Sequence, residues 1–143
     1  MSKLLKKQDG FTLLELLIVI VIIGILAVLI IPNLVSGPQR ARDSQRKSDL
    51  RNIKTALETY YNDNNAYPSG TCTPSDSSCL GGANFVPTYM KTIPADPKAN
   101  QHYTYTATNC TGDSCTKYTL KANLENDKDS QATAGVYTVD SAN

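Results

Sequence analysis

The stretch DGFTLLELLIVIVIIGILAVLIIPN, Asp9 to Asn33, decides how the rest of the chain is read. From Phe11 to Ile31 it runs for 21 residues with a single charge, Glu15. As a helix rising 1.5 Å per residue this run covers about 32 Å, which matches a hydrocarbon core about 30 Å thick. A carboxylate at the centre of a membrane helix costs about 2.5–3.5 kcal/mol, and less near an end. Glu15, four residues into the run, therefore needs a reason. A secretory signal peptide has a shorter apolar core and a small-residue cleavage site; here the run is long and IPNLVSG, Ile31–Gly37, follows it. A plain anchor has no use for the glutamate. A segment that leaves the membrane to pack against copies of itself does.

Working outward, the apolar content is concentrated in this first quarter. The remainder is polar, and the whole chain has eight Tyr but only two Phe. Its soluble part is expected to have a modest core that profits from staples. The net charge of +1 hides a segregation. Lys3, Lys6 and Lys7 precede the apolar run; Arg40, Arg42, Arg46, Lys47, Arg51 and Lys54 follow it, against Asp43 and Asp49. From residue 55 onward nine acids face five lysines. The basic stretch reads either as a solvated helix face or as a contact for an acidic partner. No aromatic residue is interleaved with it, which argues against a nucleic-acid groove.

The four cysteines all lie beyond residue 70, in two close pairs: Cys72 with Cys79, and Cys110 with Cys115. Neither spacing is C-x-x-C, and there is one histidine, His102. Three connectivities are open; the two local loops are favoured because each pair brackets a turn-rich stretch. Disulfides place this part of the chain in an oxidising compartment. With the lysines before the apolar run held inside, the chain then sits N-in and C-out across a membrane.

The order of elements follows. Residues 1–10 are a basic leader and residues 11–38 an apolar helix, with Gly24 a weak point and Pro32 expected to kink or loosen it around residues 28–32. Ser36 and Gln39 form a capping-box pattern around Gly37 and Pro38, so the helix either runs on with bends or restarts there. Residues 39–143 form a globular part. Its helix, 39–63, has no apolar face before Leu50 and then a stripe of Leu50, Ile53, Leu57 and Tyr60. Asn, Asp, Pro and Gly in YNDNNAYPSG end it. A loop is expected over 64–100 and a sheet over 101–140. HYTYTATN and TKYTLKANLE pair as a hairpin about the TGDS turn, and GVYTVD, Gly135–Asp140, adds a strand. The fold class is α+β, one long helix covering a small antiparallel sheet.

These residues carry a specific resemblance. GFTLLELLIVIVIIGILAVLIIPN resembles the N-terminus of type IV pilins and of the pseudopilins of type II secretion: a basic leader ending in Gly10, then Phe11, Glu15, Gly24 and Pro32 at the family's spacing. The resemblance runs on through RARDSQRKSDLRNIKTALETYYNDNNAYP to Pro68. IPADP, Ile93–Pro97, with Tyr103 and Tyr105, is similar to a P-x-D-P…Y-x-Y stretch of major pseudopilins, while Asp9 stands where many family leaders carry a basic residue.

The resemblance implies a pilin fold and a precursor that a prepilin peptidase cuts between Gly10 and Phe11, methylating the new Phe11 amine. It implies that Glu15 meets the Phe11 amine of a neighbouring copy and sets the stagger of a helical homopolymer. The stretch from Gly24 to Pro32 would loosen as subunits leave membrane lipid. Minor pilins and the assembly machinery of a pilus or secretion pseudopilus are the further implied partners. A calcium ion in the loop holding Glu125, Asn126, Asp127, Asp129 and Ser130 is implied in the same way, the oxygen-rich residues being suitable in type. One histidine and no nucleophile constellation or phosphate loop leave little for an enzyme. The rival reading is a monomeric, signal-anchored extracytoplasmic binding domain. Pilus or pseudopilus, and adhesion, motility, DNA uptake or secretion, stay open.

Overall fold

The computed structural model describes residues 10–74, 80 and 85–142, and for residues 31–35 the backbone alone. A single helix, α1, spans Leu13–Asn64. It continues through the expected weak points at residues 28–32 and does not restart at Ser36. Each proline withdraws one donor from the ladder, and bonds made by neighbouring residues around the helix carry the turn past it. The helix ends where Asn65 adopts φ +56° and its N–H donates to the Tyr61 carbonyl at 2.7 Å, a left-handed cap that asparagine tolerates.

The chain divides between Gly37 and Pro38 into two units. The described part of the first holds the apolar turns of α1, and its large apolar side chains from Leu13 to Ile30 are exposed. Leu13–Ile30 is long and apolar enough to cross a membrane, and none of it is buried. Phe11 and Leu13 are each 88% exposed.

The second unit contains six strands: β1 Tyr67–Pro68, β2 Thr71–Cys72, β3 Thr104–Thr111, β4 Ser114–Asn123, β5 Ala132–Thr133 and β6 Val136–Asp140. The sheet runs β2-β3-β4-β6-β5, with β1 also on β4, and every pairing is antiparallel. The α+β class read from the sequence is the observed one. The segment 64–100 is not wholly a loop, and the sheet extends beyond 101–140, because β1 and β2 lie within that segment. Two residues are too few to show an alternation, so those strands left no pattern to read.

β3 and β4 form the hairpin. Gly112 opens its two-residue turn at φ +62°, the first-position geometry that a type II′ turn assigns to glycine. Cys110 and Cys115 are opposite each other in the ladder and are disulfide-bonded. Tyr118, Leu120 and Ala122 of β4 point inward at period two. They meet Leu50, Ile53 and Leu57 of α1 in one core with Tyr67, Phe85, Tyr103 and Tyr105. Burying each of the three α1 aliphatic side chains is worth about 1.5–3 kcal/mol. Tyrosines take the place of the missing phenylalanines, and their hydroxyls find partners: Tyr105 donates to the Pro68 carbonyl at 2.6 Å, and Tyr67 and Tyr118 donate to Glu58 at 2.7 and 2.9 Å.

Candidate functional site

Two places carry chemistry, one in each unit. At the start of α1, Gly10 and Phe11 are exposed and precede the first helical turn. Thr12 is the N-cap. The Glu15 amide donates to Thr12 Oγ1 at 3.2 Å, and Glu15 Oε2 accepts from the Thr12 amide at 3.1 Å and from the Thr12 hydroxyl at 3.0 Å. This is a reciprocal capping box, which satisfies two backbone donors that an apolar surrounding would leave unpaired. A negative charge in the first turn also suits the helix dipole. Glu15 is thus tied down within its own chain. Thr12 was missed from the sequence, although T-x-x-E before an apolar run is a recognisable signal. Gly24 lies within the helix, and a Cβ built there meets nothing within 4 Å. Pro32 belongs to the backbone-only stretch.

In the second unit the basic stretch of α1 faces acids of its own chain. Arg46 has no exposed side-chain surface. Its Nε and Nη2 make a fork to Asp96 at 2.8 and 2.9 Å, and Nη1 reaches Asp43 at 2.8 Å and Glu125 at 3.1 Å. Arg42 makes a second fork, to Glu125, at 2.6 and 2.7 Å, and Lys98 joins the same carboxylate at 2.8 Å. Asp43 also accepts from the Glu125 and Asn126 amides, both at 2.9 Å. Lys47 holds Asp129 by both oxygens, at 2.7 and 2.6 Å, while its Nζ stands 5.6 Å from the centre of the Tyr137 ring. Arg42, Arg46 and Lys47 of the basic stretch therefore have acidic partners within the chain, so that part of it is not merely a solvated face. Arg40 and Arg51 make no ion pair among the described residues; with Ser44, Lys47 and Gln131 they line a 420 Å³ groove beside the clamp.

The electrostatics follow from the geometry. Fully extracted charges are costly unless they are paired and hydrogen-bonded, and here three cations meet three carboxylates. Burial works against ionisation of Asp96, but the Arg46 fork and the Lys98 amide outweigh it and hold the carboxyl below its ordinary value. Arg42 and Lys98 hold Glu125 well below the usual range. Lys47 and the Gln131 amide lower Asp129. Asp49 goes the other way: burial raises it, although Tyr103 donates to it at 2.8 Å.

The five residues expected around calcium are not arranged for it. Both oxygens of Glu125 and both of Asp129 point at protein cations, and Asn126 Oδ1 accepts from the Lys128 amide at 3.3 Å. Among the described residues no three His, Cys, Asp or Glu side chains converge as a metal site, Asp127 included. Counting oxygens in the loop leaves out the cations that occupy those of Glu125 and Asp129. Cys72 is disulfide-bonded, and Cys79, its expected partner, lies outside the described residues. The residues that build the clamp, Asp43, Arg46 and Asp96, were missed as a group. Asp43, Arg46, Leu50, Ile53 and Leu57 are spaced 3, 4, 3 and 4, so the buried stripe begins with charge before it turns to hydrocarbon.

An exposed apolar helix with a capped, charged start, leading into a helix-on-sheet unit, defines the pilin-like class of protein. Two family models match the chain: the prokaryotic N-terminal methylation motif over residues 5–31, and type II secretion system (T2SS) protein G over residues 33–135. The chain belongs to the type II secretion system protein G family. It is 37% identical over 108 residues to the type II secretion system core protein G of Aeromonas hydrophila, covering 68% of this chain and 72% of the relative. The protein of the same description from Escherichia coli K12 is 38% identical over 104 residues, covering 67% and 70%. That from Pseudomonas aeruginosa is 36% identical over 110 residues, covering 68% and 72%. No solved structure matches the chain significantly.

Proposed function

We propose that the chain is a non-enzymatic structural subunit, made as a precursor and polymerised through its N-terminal apolar helix into a pseudopilus of the type II secretion class. The relatives' description, core protein G of that system, favours the pseudopilus over a pilus. The observation that carries the reading is the apolar surface of Leu13–Ile30, wholly unburied. A surface of that size calls for lipid or for other helices like itself. Lipid covers it before assembly, with the leader inside and the sheet outside the membrane. Neighbouring copies cover it afterwards.

Processing between Gly10 and Phe11 by a prepilin peptidase creates a methylated cationic amine one residue before the capping box. In a filament the Glu15 carboxylate exchanges its Thr12 bonds for the amine of an adjacent copy. That charge-assisted contact fixes the axial offset of helices that would otherwise slide. The Gly24–Pro32 stretch is where the helix yields during extraction. The partners are copies of the chain, minor subunits and other secretion components.

The test is mass spectrometry of the chain from membranes and from sheared filaments. The expected N-terminus is methylated Phe11, in filaments made mainly of this chain. Retained Met1 in a monomeric membrane protein would establish the anchored binding domain instead. Glu15→Ala is expected to insert in the membrane yet fail to polymerise; normal filaments from that variant would refute the role of the carboxylate.

A further inference from the structure

We infer that α1 itself supplies the counter-ions of the acidic loop, and that the fold of this chain does not depend on calcium. The loop from Glu125 to Gln131 links β4 to β5 and holds three acids within five residues. A segment so charged needs cations to lie against the body of the protein, and a divalent ion is one source. Here each engaged carboxylate has a tethered one. Arg42 and Lys98 neutralise Glu125. Lys47 sits on Asp129 with both oxygens in reach of its ammonium and Gln131 Oε1 at 3.0 Å. That ammonium makes the same contacts, two carboxylate oxygens and an amide oxygen, that a hard metal ion would seek from these residues.

The placement is also held from behind. Asp43, buried and bonded to Arg46, accepts the backbone amides of Glu125 and Asn126, so the loop's entry is fixed before any side chain is counted. For the five oxygen-bearing side chains to gather round one ion, Glu125 would have to leave two guanidinium groups and Asp129 its lysine. Calcium would compete with cations already covalently part of the protein and held in place by the fold. The inference stands independently of polymerisation.

Full-length chain in detergent micelles, melted by circular dichroism in EDTA and then in about 10 mM calcium chloride, tests it. Even a site with Kd near 1 mM would raise Tm by several degrees at that concentration. The expected wild-type shift is less than about 1 °C, within the scatter of two melts. A rise of more than about 3 °C, or saturable heat on calcium titration, overturns the inference. Lys47→Met supplies the second arm. It is expected to lower Tm in EDTA by roughly 3–8 °C, since Asp129 loses its cation. A variant that melts with the wild type shows that Lys47 is not the counter-ion. A variant that fails to fold leaves the wild-type melts to decide.

Discussion

Arg46→Met tests the clamp directly. The substitution keeps much of the side chain's volume, removes the guanidinium and leaves Asp96 and Asp43 inside with no cation in the position it occupied. Arg46 and Asp96 have 0% and 1% of their side-chain surface exposed, so the pair falls in the class for which loss of one partner costs about 3–5 kcal/mol. For a domain of this size each kcal/mol is worth about 4–8 °C, so the expected fall in Tm is roughly 12–40 °C at neutral pH. Thermal melts of the full-length chain in detergent measure it.

The pH dependence separates an orphaned charge from a packing defect. In the wild type, Asp96, Glu125 and Asp129 have folded pKa values below their ordinary 3.8, 4.5 and 3.8. The stability they contribute is complete above those unfolded values and is lost as the pH falls through the folded ones, that is, below about pH 5 and onward past pH 3. In the variant, burial acts on Asp96 unopposed by Arg46 and favours its protonated form. Folding then takes up a proton there, so the gap between variant and wild type should narrow from about pH 7 to about pH 4. Arg46→Lys, with charge but no planar fork, should fall between the two. A loss under about 1 kcal/mol, or a gap constant with pH, would refute the reasoning.

Three further outcomes are expected. Asp49→Asn should leave stability at neutral pH unchanged or raise it by up to about 1 kcal/mol. The raised carboxyl of Asp49 contributes stability that is lost as pH rises through its folded pKa, and asparagine still accepts from Tyr103; a clear loss in urea melts would contradict this. Replacing Cys110 and Cys115 together by serine should cost about 2 kcal/mol or less, because the loop closed is short and the β3–β4 ladder already aligns it; denaturant midpoints decide. Tyr118→Phe should cost about 0.5–1.5 kcal/mol by removing one donor from Glu58. That carboxylate keeps Tyr67 and the Ala142 amide, and a near-zero effect would mean that the bond to Tyr118 contributes nothing net.

What was legible in the sequence is what repeats or is spaced. The apolar run, the Leu50–Tyr60 stripe, the β3–β4 hairpin and the strand at Val136 all show a period, and all are present. β1 and β2 were hidden because their two-residue pairings depend on partners about 35–50 residues away in sequence. The clamp was hidden for a different reason. Asp43 and Arg46 occupy positions where a stripe is normally recognised by hydrocarbon, so a buried face looked like a solvated one. Their acids, Asp96 and Glu125, arrive from elements far along the chain. The Thr12 cap is written as T-x-x-E at the head of the apolar run, where the cost of Glu15 in lipid masks its use to the free donors of the helix start. The Asp96 of IPADP was noticed only as part of a resemblance; its physical task is to receive Arg46.

The stripe that begins with charge also sets a mechanical limit. A helix lodged in a sheet by leucine and isoleucine alone can slide by a turn, about 5.4 Å, and find an equivalent fit. Here such a step would carry Leu50 to the place of Arg46 and leave Asp96 facing hydrocarbon. The guanidinium acts as a pawl: a pull along α1 must draw an ion pair out of dry surroundings before the apolar stripe can slip. If the N-terminal turns are gripped by other copies, as proposed above, that tooth keeps axial force from changing the register of the globular end.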